Sequence, residues 1–159
     1  MARCCRRCVA TDADASEPAP VLVVGVGSLL RTDDAVGRAV VERVEALHLD
    51  DVEVASVHQL TPELAPDLAG RRLVVVVDAA VDVDTVTVSP IEIDTSGALM
   101  THHLGPAGLL SFAAKLGWRP ERAVAVRIPV RELEVGTELS RQGTALVEQA
   151  LTEVLALVR

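Results

Sequence analysis

Two runs of consecutive apolar residues limit the possible folds of this chain more than any other feature. Val21 to Val26 is an unbroken, mostly β-branched stretch turned off by Gly25 and Gly27, and Leu73 to Val77 is five apolar residues running into Asp78. Runs without polar alternation read as strands buried on both faces. Between and after them the period changes. Asp34 to Leu47 places Val36, Ala39, Val40, Val44 and Leu47 at helical spacing, with Thr32 and Asp33 as expected caps. Val52 to Val57 reads as a strand, and Pro62 to Ala69 as a short helix with Thr61 as cap. Thr85 to Ile93 alternates around Pro90, which predicts an edge strand. Pro106 to Leu116 reads as a helix stopped at Gly117, Ala123 to Val130 as a strand, and Ser140 to Val158 as an amphipathic helix capped by Ser140. The expected order is β-α-β-α-β-β-α-β-α. Such alternation predicts an α/β fold, a mostly parallel sheet with helices on both faces.

Composition excludes several functions. The chain has 159 residues, enough for one domain with its own core. Phe112 and Trp118 are its aromatic residues, so a platform of stacked bases is not expected. A net charge of -8 repels phosphate backbones and anionic lipid, and suits a basic or neutral partner segment. The expectation is therefore no nucleic-acid and no membrane partner. No apolar run reaches the roughly 18 residues of a membrane helix. Met1 to Pro20 lacks the apolar core of a secretory signal, which points to the cytosol. Residues 1 to 19 are small, polar and basic, and read as a flexible leader before a domain spanning 20 to 159. Cys4, Cys5 and Cys8 fall in that leader at no zinc-like spacing.

In sheets of this kind, ligands bind at the carboxyl ends of the strands. Three loops there carry polar groups: Ser28, Asp33 and Asp34 in the first, Asp78 in the second, and Thr101, His102 and His103 before the helix at Pro106. Two carboxylates and one imidazole make a mixed oxygen and nitrogen set suited to Zn(II) or Ni(II). The bland alternatives are plain. Asp33 and Asp34 could serve only a helix N-terminus, Asp78 could bond nearby backbone N–H groups, and adjacent histidines on a loop are often solvated. Gly25-Val-Gly27 also admits a nucleotide-binding reading. Leu30 occupies its third glycine position, however, and an acid pair opens the helix where a pyrophosphate would sit. Glycines at 25 and 27 instead let the backbone turn sharply off the strand.

These residues carry a resemblance. Gly25 to Gly37 (GVGSLLRTDDAVG) resembles the signature G-x-G-N-x-L-x-x-D-[DE]-G-x-G of the hydrogenase maturation proteases. Val74 to Ala80 (VVVVDAA) is similar to that family's strand ending in Asp-Ala. Thr101 to Leu110 (THHLGPAGLL) is similar to its Ser/Thr-His loop, and Val135 to Ser140 (VGTELS) to the approach to its last helix. The match covers residues 20 to 158. The resemblance implies a three-layer α/β/α sandwich around a mixed, mostly parallel five-stranded sheet. It implies an endopeptidase that removes a C-terminal extension from a nickel–iron hydrogenase large-subunit precursor after nickel insertion. The family's metal-binding residues fall on Asp34, Asp78 and His102, which would also be catalytic. Nickel would arrive largely with the substrate, no organic cofactor is expected, and the chain is expected to be a monomer. Two positions depart from the signature: Ser28 stands for Asn, and Ala35 for Gly.

The implied chemistry is amide hydrolysis, either assisted by the metal or driven by an Asp acting as general base. Asp33 is a candidate to orient one of the ligands. No Ser-His-Asp or cysteine nucleophile arrangement stands out. The rival reading is a non-catalytic, nickel-dependent checkpoint or chaperone that binds the large subunit without cutting it.

Overall fold

The first apolar run forms β1 (Val21–Val26) and the second forms β3 (Leu73–Ala80), both buried along most of their length. With β2 (Val52–Val57), β4 (Thr87–Pro90) and β5 (Arg122–Pro129) they make one five-stranded sheet in the order β2-β1-β3-β5-β4. All pairings are parallel except β4 against β5, so the sheet is mixed and mostly parallel as expected. This computed structural model describes residues 19 to 93, 104 to 131 and 133 to 159. The leader's cysteines and the loop with Thr101, His102 and His103 lie outside the described residues.

Alternation along the strands divides the core in two. Val21, Val23, Val75 and Val77 face α1 (Val36–Ala46) and α3 (Arg141–Val158). Leu22, Val24, Val74 and Val76 face the 3-10 turn Pro62–Leu68 and α2 (Pro106–Lys115). β1 and β3 are covered on both faces of the sheet, which is why their apolar runs are continuous. Among the described residues no helix is long and apolar enough to cross a membrane.

Several boundaries differ from expectation, each for a physical reason. The segment at Pro62 is a 3-10 turn, because Pro66 inside it has no N–H to continue an α-helical ladder. Thr61 precedes it in extended backbone without a capping bond. The expected helix at Asp34 begins as a 3-10 turn (Thr32–Ala35) and becomes α-helical only at Val36. β3 runs two residues past Asp78, because its pairing with β5 continues from Asp78↔Arg127 to Ala80↔Pro129. β4 is shorter than the predicted 85 to 93 and lies at the sheet edge, where Pro90 is tolerated. Ser140 caps α3 as expected, its Oγ accepting from the Gly143 N–H at 2.8 Å.

Candidate functional site

The loop from β1 to α1 is shaped by what glycine permits. Gly27 has φ of +145°, and a Cβ there would lie 1.8 Å from the Asp34 carbonyl oxygen. Bare backbone at 27 therefore lets the Asp34 main chain fold back onto the end of β1. Gly37 seats the helix. A Cβ there would lie 2.3 Å from the Val77 carbonyl oxygen and 2.6 Å from that of Val26. The first turn of α1 thus rests on the carbonyls of both β1 and β3. Val77 precedes Asp78, so this seat carries Asp34 to the strand end where Asp78 stands.

The two carboxylates interact. Asp78 is largely buried and its pKa is raised to about 6. Burial is the main cause. A hydrogen bond from the Ala79 backbone opposes it, the Asp34 charge adds to it, and the Arg127 guanidinium opposes it. Arg127 holds the register position beside Asp78 on β5 and also forms an ion pair with Asp82. Asp34 is fixed by its own loop: the Ser28 backbone N–H donates to Asp34 Oδ2 at 2.8 Å.

The two departures from the signature have local explanations. At position 28 the group that holds Asp34 is the main-chain N–H, which any residue other than proline supplies. The Ser28 hydroxyl turns into the loop and accepts from the Leu30 N–H at 3.3 Å. Ala35 has φ −81° and ψ 0°, right-handed helical backbone that does not require glycine.

Asp33 belongs to a different construction. It is buried, and its two oxygens accept from the backbone N–H of Ser140 at 2.8 Å and from the Ser140 hydroxyl at 2.7 Å. The expectation that Asp33 caps the helix after it is corrected: its carboxylate is spent on the lead-in to α3. A Cβ on Gly143 would lie 2.3 Å from Asp33 Oδ1, so the first turn of α3 is closed around this carboxylate. Thr32, the other expected cap, donates its hydroxyl to the Glu134 carbonyl at 3.0 Å. These bonds lay the 28–34 loop against the 133–140 loop. Spacing alone gave no sign of this, since the partners are more than 100 residues apart.

Of the expected site residues, Asp34 and Asp78 are brought together, while His102 and the neighbouring His103 lie outside the described residues. Among the described residues no group of three His, Cys, Asp or Glu side chains forms a metal-binding cluster. The described part of the site contributes the carboxylate pair. Arg127, Gly37 and Ser140 are the residues here that the loop rule did not select.

Comparison with known proteins bears on this geometry. No family model matches the chain. The chain is 32% identical over 148 residues to the hydrogenase 2 maturation protease of Escherichia coli strain K12, covering 87% of this chain and 90% of that one. It is similar to the solved structure of the hydrogenase maturating endopeptidase HybD from E. coli. The TM-score is 0.74 and the identity 30%, with 87% of this chain and 91% of that one covered. It is also similar to the crystal structure of a hydrogenase 2 maturation peptidase from Thaumarchaeota archaeon SCGC_AB-539-E09. There the TM-score is 0.66 and the identity 27%, with 87% and 97% covered. On this identity and coverage, and on the shared fold, this chain belongs to the hydrogenase maturation proteases and is an endopeptidase.

Proposed function

We propose that this endopeptidase removes a C-terminal extension from the precursor of a nickel–iron hydrogenase large subunit, after nickel has been inserted. Asp34, Asp78 and His102 are its catalytic residues and the ones that meet the nickel. The observation that carries the reading is the juxtaposition of Asp34 and Asp78 at the ends of the central strands, with the Asp78 carboxyl raised to about 6. Two carboxylates held near each other in a partly buried place repel, and a divalent cation between them relieves that repulsion. The donor set fits nickel carried in by the substrate: hard carboxylates and an imidazole leave room for the precursor's own ligands. Bound there, the substrate's nickel supplies Lewis-acid polarisation of the scissile carbonyl or of a water. A monomer working in the cytosol goes with this reading.

A second reading of the chemistry draws on the raised pKa of Asp78. A carboxylate with its pKa near 6 is a stronger base than an ordinary one, and in its ionised form at neutral pH it can take a proton from the attacking water as the water oxygen bonds to the carbonyl carbon. It then returns that proton to the amide nitrogen as the C–N bond breaks. The hydrolysis is then of aspartyl type, and the metal serves recognition.

The test is incubation with nickel-loaded and metal-free precursor, followed by mass spectrometry of the large subunit. The extension should be lost from the loaded form alone. His102→Ala and Asp78→Asn should abolish cutting, with His103→Ala much milder. Efficient cleavage of the metal-free precursor would refute nickel gating.

A further inference from the structure

The loops that build the site also present apolar side chains to solvent. Leu29 is 48% exposed, Leu30 69% and Val135 92%. Leu29 and Leu30 lie between Ser28 and Asp34, on the loop closed by the bond from the Ser28 N–H to the Asp34 carboxylate. The antiparallel bridge Arg31↔Val135 brings Val135 alongside this loop, on the face it shares with the exposed Arg31. That bridge is flanked by bonds from the Gly136 N–H to the Leu30 carbonyl and from the Thr32 N–H to the Glu134 carbonyl, both at 3.1 Å. The apolar side chains are thus mounted on tied backbone. Val81, 62% exposed, follows β3 at the same end of the sheet. Isolated exposed leucines need no explanation, but a fixed apolar group beside an acid pair does.

We propose that Leu29, Leu30 and Val135 form the ledge on which the precursor seats apolar side chains of the segment presented for cleavage. The assignment rests on the site reading above, because the ledge is continuous with the Asp34 loop. An extended peptide with one bond at the carboxylates spans roughly 3.3 Å per residue, so side chains only a few residues from that bond already lie over the adjoining loop. Beside Val135 the exposed Arg31 is outnumbered by the exposed Glu134 and Glu138, and the chain carries a net charge of -8. The complementary segment is therefore apolar with basic residues next to it. The fixed bridge between the two loops makes the ledge ready-formed, which limits the ordering cost of binding.

The experiment uses full-length protein and nickel-loaded precursor. Binding is measured by calorimetry, and KM and kcat from the mass-resolved time course of cutting. Leu30→Glu and Val135→Glu, and the milder Leu30→Ser and Val135→Ser, should weaken binding and raise KM by about tenfold or more, with kcat at saturation within about threefold. Melting temperature should stay unchanged, and Leu30→Met should behave as the unsubstituted protein. Unchanged affinity and KM in both Glu variants would overturn the proposal. So would loss of kcat alone, or a concentration-dependent dimer that the Glu variants dissociate while precursor affinity stays the same. Asp78→Asn serves as the separate control. It should bind the precursor and fail to cut, and if it cuts, the site reading fails whatever the ledge variants do.

Discussion

Both oxygens of the Asp33 carboxylate are taken by one residue, Ser140, whose backbone N–H and hydroxyl donate at 2.8 and 2.7 Å across 107 positions of sequence. The same hydroxyl accepts from the Gly143 N–H and caps α3. Neighbouring acids in the pair thus have separate duties, with Asp34 at the strand ends and Asp33 binding the first loop to the last helix.

Asp33→Ala should destabilise the fold by roughly 2 to 4 kcal/mol, since it strands two part-buried donors of Ser140 and leaves a void. Ser140→Ala should cost about 1 to 2 kcal/mol through the lost cap and the lost carboxylate partner. Urea denaturation measures both. The double variant should lose clearly less than the sum, and additive losses would show that the pair is not coupled.

Gly27→Ala and Gly37→Ala should each unseat the Asp34 loop, because the new Cβ would meet backbone carbonyl oxygens at 1.8 and 2.3 Å. The expected result is low soluble yield, or a lowered melting temperature with at least a tenfold loss of processing. Ala35→Gly, which restores the family residue, should bring no gain and cost roughly 0.5 to 1 kcal/mol from a position that is already helical.

Asp78 gives stability a pH dependence of unusual sign for a carboxylate. Its pKa rises from 3.8 to about 6 on folding. Below about pH 4 the group is protonated in both states and imposes no penalty. Between about 4 and 6 the unfolded chain gives up the proton while the native protein keeps it, so stability falls as pH rises; above about 6 the loss levels off. Asp78→Asn should therefore flatten this slope and be more stable at pH 7, by up to roughly 3 kcal/mol, while losing activity. Denaturant midpoints at pH 4.5 and 7 for both proteins check this, and equal slopes would contradict it.

Removing residues 1 to 18 should leave melting temperature and processing unchanged, as should changing Cys4, Cys5 and Cys8 together to Ser. Removing residues 1 to 20 should not be silent. The buried Arg71 donates to the Ala19 carbonyl at 2.6 Å, and Pro20 O accepts from the Arg72 and Leu73 N–H groups. A measured drop of about 1 to 3 kcal/mol is expected from the stranded guanidinium contacts. Equal stability of the two truncations would contradict this placement.

The sheet was legible because its two central strands carry apolar runs that no other arrangement buries, and because each amphipathic helix has its stripe at the expected spacing. The loop rule reached Asp34 and Asp78 for the same reason: in a parallel sheet, strand ends and helix starts converge on one edge. What sequence did not disclose depends on long-range tertiary contacts. Asp33 reads as a helix cap from its neighbours, and its partner Ser140 is visible only once two distant loops touch. Pro66 breaks an otherwise helical pattern, and the end of β3 is set by a strand that follows some 40 residues later. Position 28 looked consequential by residue type, yet what it supplies to Asp34 is a main-chain N–H.

The antiparallel edge strand has a consequence for how the sheet meets other chains. Ile91 donates its N–H to the Ala123 carbonyl, so in the ladder Thr87 and Ser89 turn their main-chain groups toward β5, while Val88 and Pro90 turn theirs outward. Proline has no N–H to offer there. A peptide laid along this edge would find no donor at Pro90, which disfavours continuation of the sheet here by a substrate tail or by the strand of another molecule. That side of the protein is thereby guarded against templated growth.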